Sequence, residues 1–349
     1  MIYVSVSYNY SPLFDSPESW FKRTEGYAGI LECLSKKHTV FNVKQINFEG
    51  KSIHNGVTYH FVDFGKKKTY FPRQLNQFVR DLNPDIVIVQ GLHHPLQLIQ
   101  LRWLLPRKTK MIAQHHAEKP FTGIKKYVQR IADRCVNAYL FASHAMGMEW
   151  VEKGNLSSPK KIHEVMEVSS IFHVINKAEA KLKTNTEGNR VFLWVGRLNA
   201  NKDPVNVIKA FLKFSQAYPY VRLYMIYHTD ELLNYIKKLL NTPDCPVKLI
   251  GQVPHSDLLY WFNSADYFLS GSHYEGSGTA VCEAMSCGCV PVVTDILSFR
   301  MITNNGECGI LYEPGNEKAL LSALMQTQSL DIGEKKKQVV DPFQRKTLL

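Results

Sequence analysis

Short apolar runs rich in β-branched residues alternate with helical segments along the whole chain, and this alternation restricts the fold more than any other feature. In the first half, residues 2–7, 39–46, 58–64, 85–90, 110–114, 139–142 and 162–168 read as strands. Residues 26–34, 71–82, 95–105 and 123–136 read as helices between them. In the second half, strands at 191–195, 221–226, 247–250, 267–270, 291–294 and 309–312 alternate with helices at 204–217, 230–240, 256–263, 279–287 and 317–325. Strand–helix repetition of this kind predicts an α/β fold of doubly wound parallel sheets, whose ligands bind beyond the carboxyl ends of the strands. The residues just after each strand are therefore the first place to look for chemistry.

The chain has 349 residues, 45% of them hydrophobic, which exceeds one ordinary domain and allows two cores. The expected division is an N-terminal domain at 1–172, a polar linker at 173–189, a second domain at 190–330 and a basic tail at 331–349. No run of 18 apolar residues occurs, and the opening MIYVSVSYNY lacks the layout of a signal peptide, so a cytoplasmic location is expected. Seven cysteines, an odd number, fit reduced thiols. Cys282, Cys287 and Cys289 are clustered but lack zinc-type spacing, and no metal is expected there.

The net charge of +11 is uneven: residues 1–172 carry 23 Lys and Arg against 14 Asp and Glu, and the remainder 19 against 17. Basic runs at Lys66 to Lys68, at Arg107, Lys108 and Lys110, and at Lys125 and Lys126 suit anionic lipid head groups or a polyanionic acceptor, giving an expected peripheral contact with the inner membrane face. Nucleic acid is disfavoured, because no recognised binding motif is present and the aromatics do not interleave with the basic residues.

The densest chemistry lies in HYEGSGTAVCEAMSCGCVPVV, residues 273–293. A strand leads to a glycine-bearing turn and then to a small-residue helix closed by Gly288. The helix N-terminus offers unpaired N–H groups from Ser277, Gly278, Thr279 and Ala280 behind small side chains, a setting for a phosphate or a sugar oxygen. Glu275 and Glu283 flank it with seven residues between them, a spacing that makes sense if Glu275 belongs to the loop and Glu283 to the helix. Carboxylates accept hydrogen bonds from hydroxyls, so a polyhydroxylated ligand with a central phosphate fits, as in a sugar nucleotide. A second strand end, Gly196-Arg197-Leu198, precedes Lys202 and a helix starting at Pro204, so two cations stand where a diphosphate could be neutralised. VGRLNANKD lacks the G-x-G-x-x-G spacing of a dinucleotide fold.

At these residues the chain resembles the GT-B glycosyltransferases, in particular glycosyltransferase family 4, retaining enzymes with a Glu, seven residues, Glu signature and a Gly-Arg-Leu…Lys pattern. The resemblance implies two Rossmann-like domains facing across a cleft, the first for the acceptor and the second for the nucleotide-sugar. It implies that Glu275 contacts the donor sugar, Glu283 the ribose, residues 277–280 the sugar and diphosphate, and Gly196, Arg197 and Lys202 the diphosphate. The turn around Val253 would pass the nucleotide base. QHHAEKP is similar to the segment holding the family's active-site His, with His116 favoured over His115; His93 and Gly26 are weaker candidates lining the acceptor side. The family's C-terminal helix, which crosses back onto the first domain, looks abbreviated or missing in this chain.

The resulting expectation is a metal-independent, retaining hexosyltransferase without a cofactor, moving a sugar from a UDP- or GDP-sugar to a glycan, lipid-linked or small-molecule acceptor. The alternatives are a sugar-nucleotide epimerase or hydrolase of the same fold, or a non-catalytic binding or scaffold protein.

Overall fold

The computed structural model describes residues 1–24, 29–65, 70–165, 170–241 and 244–346. Gly26 and Lys66 to Lys68, singled out above, lie outside the described residues. The chain divides into two compact units, Met1–Ser169 and Ser170–Leu349.

The first unit holds β1 (Ile2–Ser11), β2 (Thr39–Ile46), β3 (Gly50–His54), β4 (Val57–Val62), β5 (Ile86–Gln90), β6 (Lys110–Gln114), β7 (Ala138–Phe141) and β8 (Ile162–Glu164) in one sheet of order β3-β4-β2-β1-β5-β6-β7-β8. All neighbours run parallel except β3, which joins β4 in an antiparallel hairpin. Asn55 and Gly56 turn that hairpin at φ 46° and 79°, the left-handed pair that a tight hairpin requires. This Asn-Gly signal is absent from the expected strands. On β1, Val4, Val6 and Tyr8 point into the core, and the alternate positions Ser5 and Ser7 face the other way, polar yet buried.

The second unit holds β9 (Arg190–Gly196), β10 (Val221–Tyr227), β11 (Val247–Gly251), β12 (Tyr267–Ser270), β13 (Val290–Thr294) and β14 (Ile310–Tyr312), all parallel, in the order β11-β10-β9-β12-β13-β14. Strands β12 and β13 are buried along their whole length, which explains why YFLS and VPVVT show no alternation: helices cover both faces of a central parallel strand. Among the parallel strands of each sheet the order reverses once, between β1 and β5 and between β9 and β12. Those are the switch points, where a doubly wound sheet opens a crevice at its carboxyl end.

Two boundaries need correction. The expected linker at 173–189 carries a helix, Lys177–Thr184, capped by the Asn176 side chain, which accepts from the N–H groups of Ala178 and Glu179. Phe172 already belongs to the second core. The expected basic tail is also helical, Ile332–Lys346, with Val339 fully buried. Both segments look polar because each presents little apolar surface; what holds them is a buried charge. Asp266, almost inaccessible, receives the ammonium groups of Lys177 and Lys336 as well as the Val191 N–H. Burial opposes its charge, yet Lys336 and Lys177 together hold the carboxyl below its usual range. The C-terminal segment thus forms a helix of fifteen residues.

Candidate functional site

In the second unit the two loops at the β9/β12 switch point are stitched together. His273 N–H donates to Asn201 O at 2.8 Å, and Asn201 Nδ2 donates to Tyr274 O at 3.0 Å. His273 Nε2 lies 3.3 Å from Asp203 Oδ2. Between them the Lys202 ammonium pairs directly with Glu275. The loops approach so closely that a Cβ on Gly271 would stand 3.1 Å from Asp203 O and 3.2 Å from Lys202 O. Gly is the residue that permits this contact. Asp203, at φ 42°, then caps the Pro204–Ala217 helix through the Asn206 N–H.

Gly278 starts the Thr279–Ser286 helix at φ 55°, and a Cβ there would collide with Ile302 at 2.7 Å. The N–H groups of Thr279 and Ala280 have no acceptor within the helix, and both residues remain partly accessible. Glu283 lies one turn on, only 9% of its side chain exposed, with Oε1 2.8 Å from His255 Nε2. His255 was not among the sequence candidates. It lies two residues after Val253, in the same turn after β11, and only the tertiary contact reveals it. Arg197, just past Gly196 at the end of β9, is exposed, and its side chain makes no hydrogen bond or ion pair among the described residues. Glu275, Lys202, Gly196, Arg197, Ser277 to Ala280 and Glu283 therefore all belong to the carboxyl ends of β9 and β12 or the helix that follows. Cys282, Cys287 and Cys289 are buried and outside any disulfide, and burial pushes the Cys287 thiol up to about 12. They sit in the helix–strand core behind the site.

In the first unit the organising group is a residue that the sequence reading passed over, Glu118. Its side chain is 4% exposed. Leu92 N–H and His116 N–H donate to its two oxygens at 2.7 and 2.6 Å, and His93 Nδ1 stands 3.3 Å from Oε1. His115 is buried, with Nε2 2.8 Å from the Glu118 carbonyl and its ring stacked on Phe141. Burial works against the Glu118 charge, but His115, the His116 N–H and His93 outweigh it and hold the carboxyl below its usual value. The turn is tight: Ala117 takes φ 69°, and a Cβ on Gly91 would come within 3.0 Å of Glu118 Oε1. The tertiary structure separates the two adjacent histidines. His115 is held in the core, whereas His116, with Nε2 2.8 Å from Gln90 Oε1, lines a cavity of about 190 Å³ beside the β1/β5 switch point.

Residues 176–340 match the family described as Glycosyl transferases group 1. The chain is 26% identical over 140 residues to the O-antigen chain mannosyltransferase B of Escherichia coli, an alignment spanning 39% of this chain and 36% of that one. It is 28% identical over 267 residues to an N-acetylgalactosaminyltransferase of Campylobacter jejuni acting on a diphospho-undecaprenol glycan, spanning 74% of this chain and 71% of that one. A solved structure described as trehalose-6-phosphate from E. coli bound with UDP-2-fluoro glucose superposes with TM-score 0.73 at 13% identity, over 99% of this chain and 95% of that one. The fold is therefore GT-B.

Proposed function

We propose, for a chain that belongs to the GT-B glycosyltransferases, that it transfers a hexose from a nucleotide diphosphate-sugar to a hydroxyl of a glycan or lipid-linked acceptor, with retention at the anomeric carbon. The observation that carries this reading is the Lys202–Glu275 pair set between the end of β9 and the Gly278 helix start. It puts a cation for phosphate and a carboxylate for hydroxyls side by side, as a sugar diphosphate demands. In the reaction the bond from C1 to the diphosphate oxygen breaks, a bond from C1 to the acceptor oxygen forms on the same face, and the acceptor proton passes to the departing phosphate. Glu275 orients the sugar through its hydroxyls and does not attack. Lys202 has three ammonium protons and serves Glu275 and a phosphate oxygen together. Arg197 and the N–H groups of Thr279 and Ala280 take up the charge that develops on the leaving group, so no metal is required of the site. Glu283, oriented by His255, accepts from the ribose, and the turn at Val253 borders the base.

UDP and GDP both remain candidates for the nucleotide. The E. coli structure holds a UDP-sugar, and the Campylobacter relative's name places its acceptor on a polyprenyl diphosphate. Calorimetric titration with UDP, GDP and ADP on wild type and Glu283→Ala tests the assignment. Selective binding that the substitution weakens supports it, and no nucleotide binding to the wild type overturns it.

We assign the peripheral partner to an anionic lipid surface. The Gly123–Asp133 helix is turned inside out: Gln129, Ala132 and Asp133 are buried, while Ile124 and Tyr127 are 82% and 69% exposed. Ile131 continues that stripe, and Lys125, Lys126 and Arg130 flank it. Asp133 is kept inside by Lys161 Nζ at 3.2 Å. An exposed apolar stripe edged with cations matches a membrane interface. No helix among the described residues is long and apolar enough to cross a membrane. Flotation with vesicles of phosphatidylglycerol and phosphatidylcholine should recover the wild type but not Ile124→Ser/Tyr127→Ser. Equal recovery of both proteins would remove the assignment.

A further inference from the structure

The cavity beside the β1/β5 switch point has an unusual floor. Ser5 and Ser7 of β1, Asn42 and Lys44 of β2, and Gln90 of β5 all line it. Each is at an alternate strand position, and Ser5 pairs in register with both Asn42 and Ile88, so these side chains share one face of the sheet. That face is normally apolar in a parallel sheet covered by helices. Three of its polar occupants are buried all the same, Ser5, Ser7 and Asn42, with Ser5 inaccessible and Asn42 4% exposed, while Lys44 and Gln90 are half-buried.

Most of these groups satisfy one another. Gln90 Nε2 donates to Ser5 Oγ at 3.0 Å, and Gln90 Oε1 meets His116 Nε2, which must therefore carry its proton. Two atoms on β2 are left over. Asn42 Oδ1 is buried and has no hydrogen-bond partner. Lys44 Nζ makes no hydrogen bond or ion pair among the described residues; its neighbour is the Trp20 ring, 5.5 Å from the ammonium to the centroid. Among the described residues, no Asp or Glu lines the cavity. Burial alone pulls the Lys44 ammonium down to about 8, the expected cost of holding a cation without a counter-charge.

An uncompensated cation calls for an anion, and an orphan carbonyl oxygen calls for a hydroxyl or amine donor. The two residues are next-but-one neighbours on β2, about 7 Å apart along the strand, and present their side chains on the same face of the sheet. Trp20 supplies an apolar wall for the ring face. The volume is below the roughly 300–1,000 Å³ of pockets that enclose drug-sized ligands, and fits one sugar unit. We propose that this cavity binds the acceptor as an anionic sugar, with Lys44 on its phosphate or carboxylate and Asn42 Oδ1 accepting from a hydroxyl. Its identity as acceptor rests on the transferase reading above; its preference for an anionic sugar does not.

The test is titration of the full chain, followed by NMR or calorimetry, with glucose 6-phosphate, glucuronic acid and glucose, and with UDP and GDP as a separate readout of the second unit. At least one of the two anionic sugars should bind tenfold or more tightly than glucose, and the tighter one identifies a phosphoryl or a carboxyl source. Lys44→Met should lose tenfold or more of that affinity, Lys44→Arg should keep most of it, and nucleotide binding should be unchanged in both. Asn42→Asp gives Lys44 an internal carboxylate and should weaken the anionic sugar as Lys44→Met does, which keeps the test open if Lys44→Met folds poorly. Equal affinity for glucose and both anions, no sugar binding at all, or undiminished binding in Lys44→Met would overturn the proposal. Absence of nucleotide binding in the wild type would instead strike the transferase reading, while the sugar titrations still decide the cavity.

Discussion

At the β9/β12 switch point each carboxylate already has a partner, Lys202 for Glu275 and His255 for Glu283, whereas at the β1/β5 switch point Glu118 is held by backbone N–H groups and Lys44 has no counter-charge among the described residues. The second unit builds its site from loops pinned to each other; the first builds it from the sheet face, with one buried carboxylate holding the loops behind. A ligand entering the second site redistributes existing ion pairs, so little desolvation remains to be met. A ligand entering the first site would relieve a charge that the fold leaves exposed to its own cavity. The difference separates two settings for acidic residues: Glu275 and Glu283 pair with side chains from other loops, and Glu118 is held by backbone N–H groups of its own turn and the loop after β5.

The sharpest way to break that comparison is to remove one carboxylate of each kind. Glu275→Ala should reduce sugar transfer by about 100-fold or more with the melting temperature nearly unchanged, as for loss of a group acting on the reacting centre. Near-normal turnover would refute its role. Glu118→Ala should do the reverse, lowering stability in urea by about 3 kcal/mol, because the Leu92 and His116 N–H groups lose a buried charged acceptor. A stability loss under about 1 kcal/mol would show that water replaces the carboxylate and that the turn does not depend on it.

Smaller effects sharpen the picture. Arg197→Ala should weaken nucleoside diphosphate binding about tenfold, or about 1.4 kcal/mol, with little change in stability, since its exposed side chain makes no hydrogen bond or ion pair among the described residues. Unchanged affinity would leave Lys202 and the helix start as the phosphate site. The smallest effect is in pH. Glu118 has its folded carboxyl held below its ordinary value of 4.5, so the stability it supplies is complete above that value. It should drain away as pH falls through the lower folded value, and Glu118→Gln should flatten this acid limb in a urea-midpoint titration. An identical acid limb in the variant would place the linked proton elsewhere.

Much of this architecture is legible in the chain because its signals are local. Strand 39–46 and helix 204–217 stand at the residues expected from their patterns, and Pro204 marks the helix start as its fixed φ requires. The loop and helix positions of Glu275 and Glu283 follow from spacing alone. Illegible segments have a common cause. The helices Lys177–Thr184 and Ile332–Lys346 carry few apolar residues, and the reason for their docking, Asp266, lies far away in sequence. Glu118 was hidden for the same reason: its role depends on Leu92, 26 residues before it.

The sequence by itself determined the alternating strands and helices, the two-unit organisation, the glycine turns and the acidic motif, since hydrogen-bond periodicity and backbone preference act over a few residues. Only the tertiary structure decided that Lys202 meets Glu275 across 73 positions, that His255 orients Glu283, and that His116 faces the cavity while His115 does not. Those outcomes depend on strand order. A chain pattern says which residues lie on one face of a strand, but which strands become neighbours, and so which side chains share a site, is set by packing between helices and sheet.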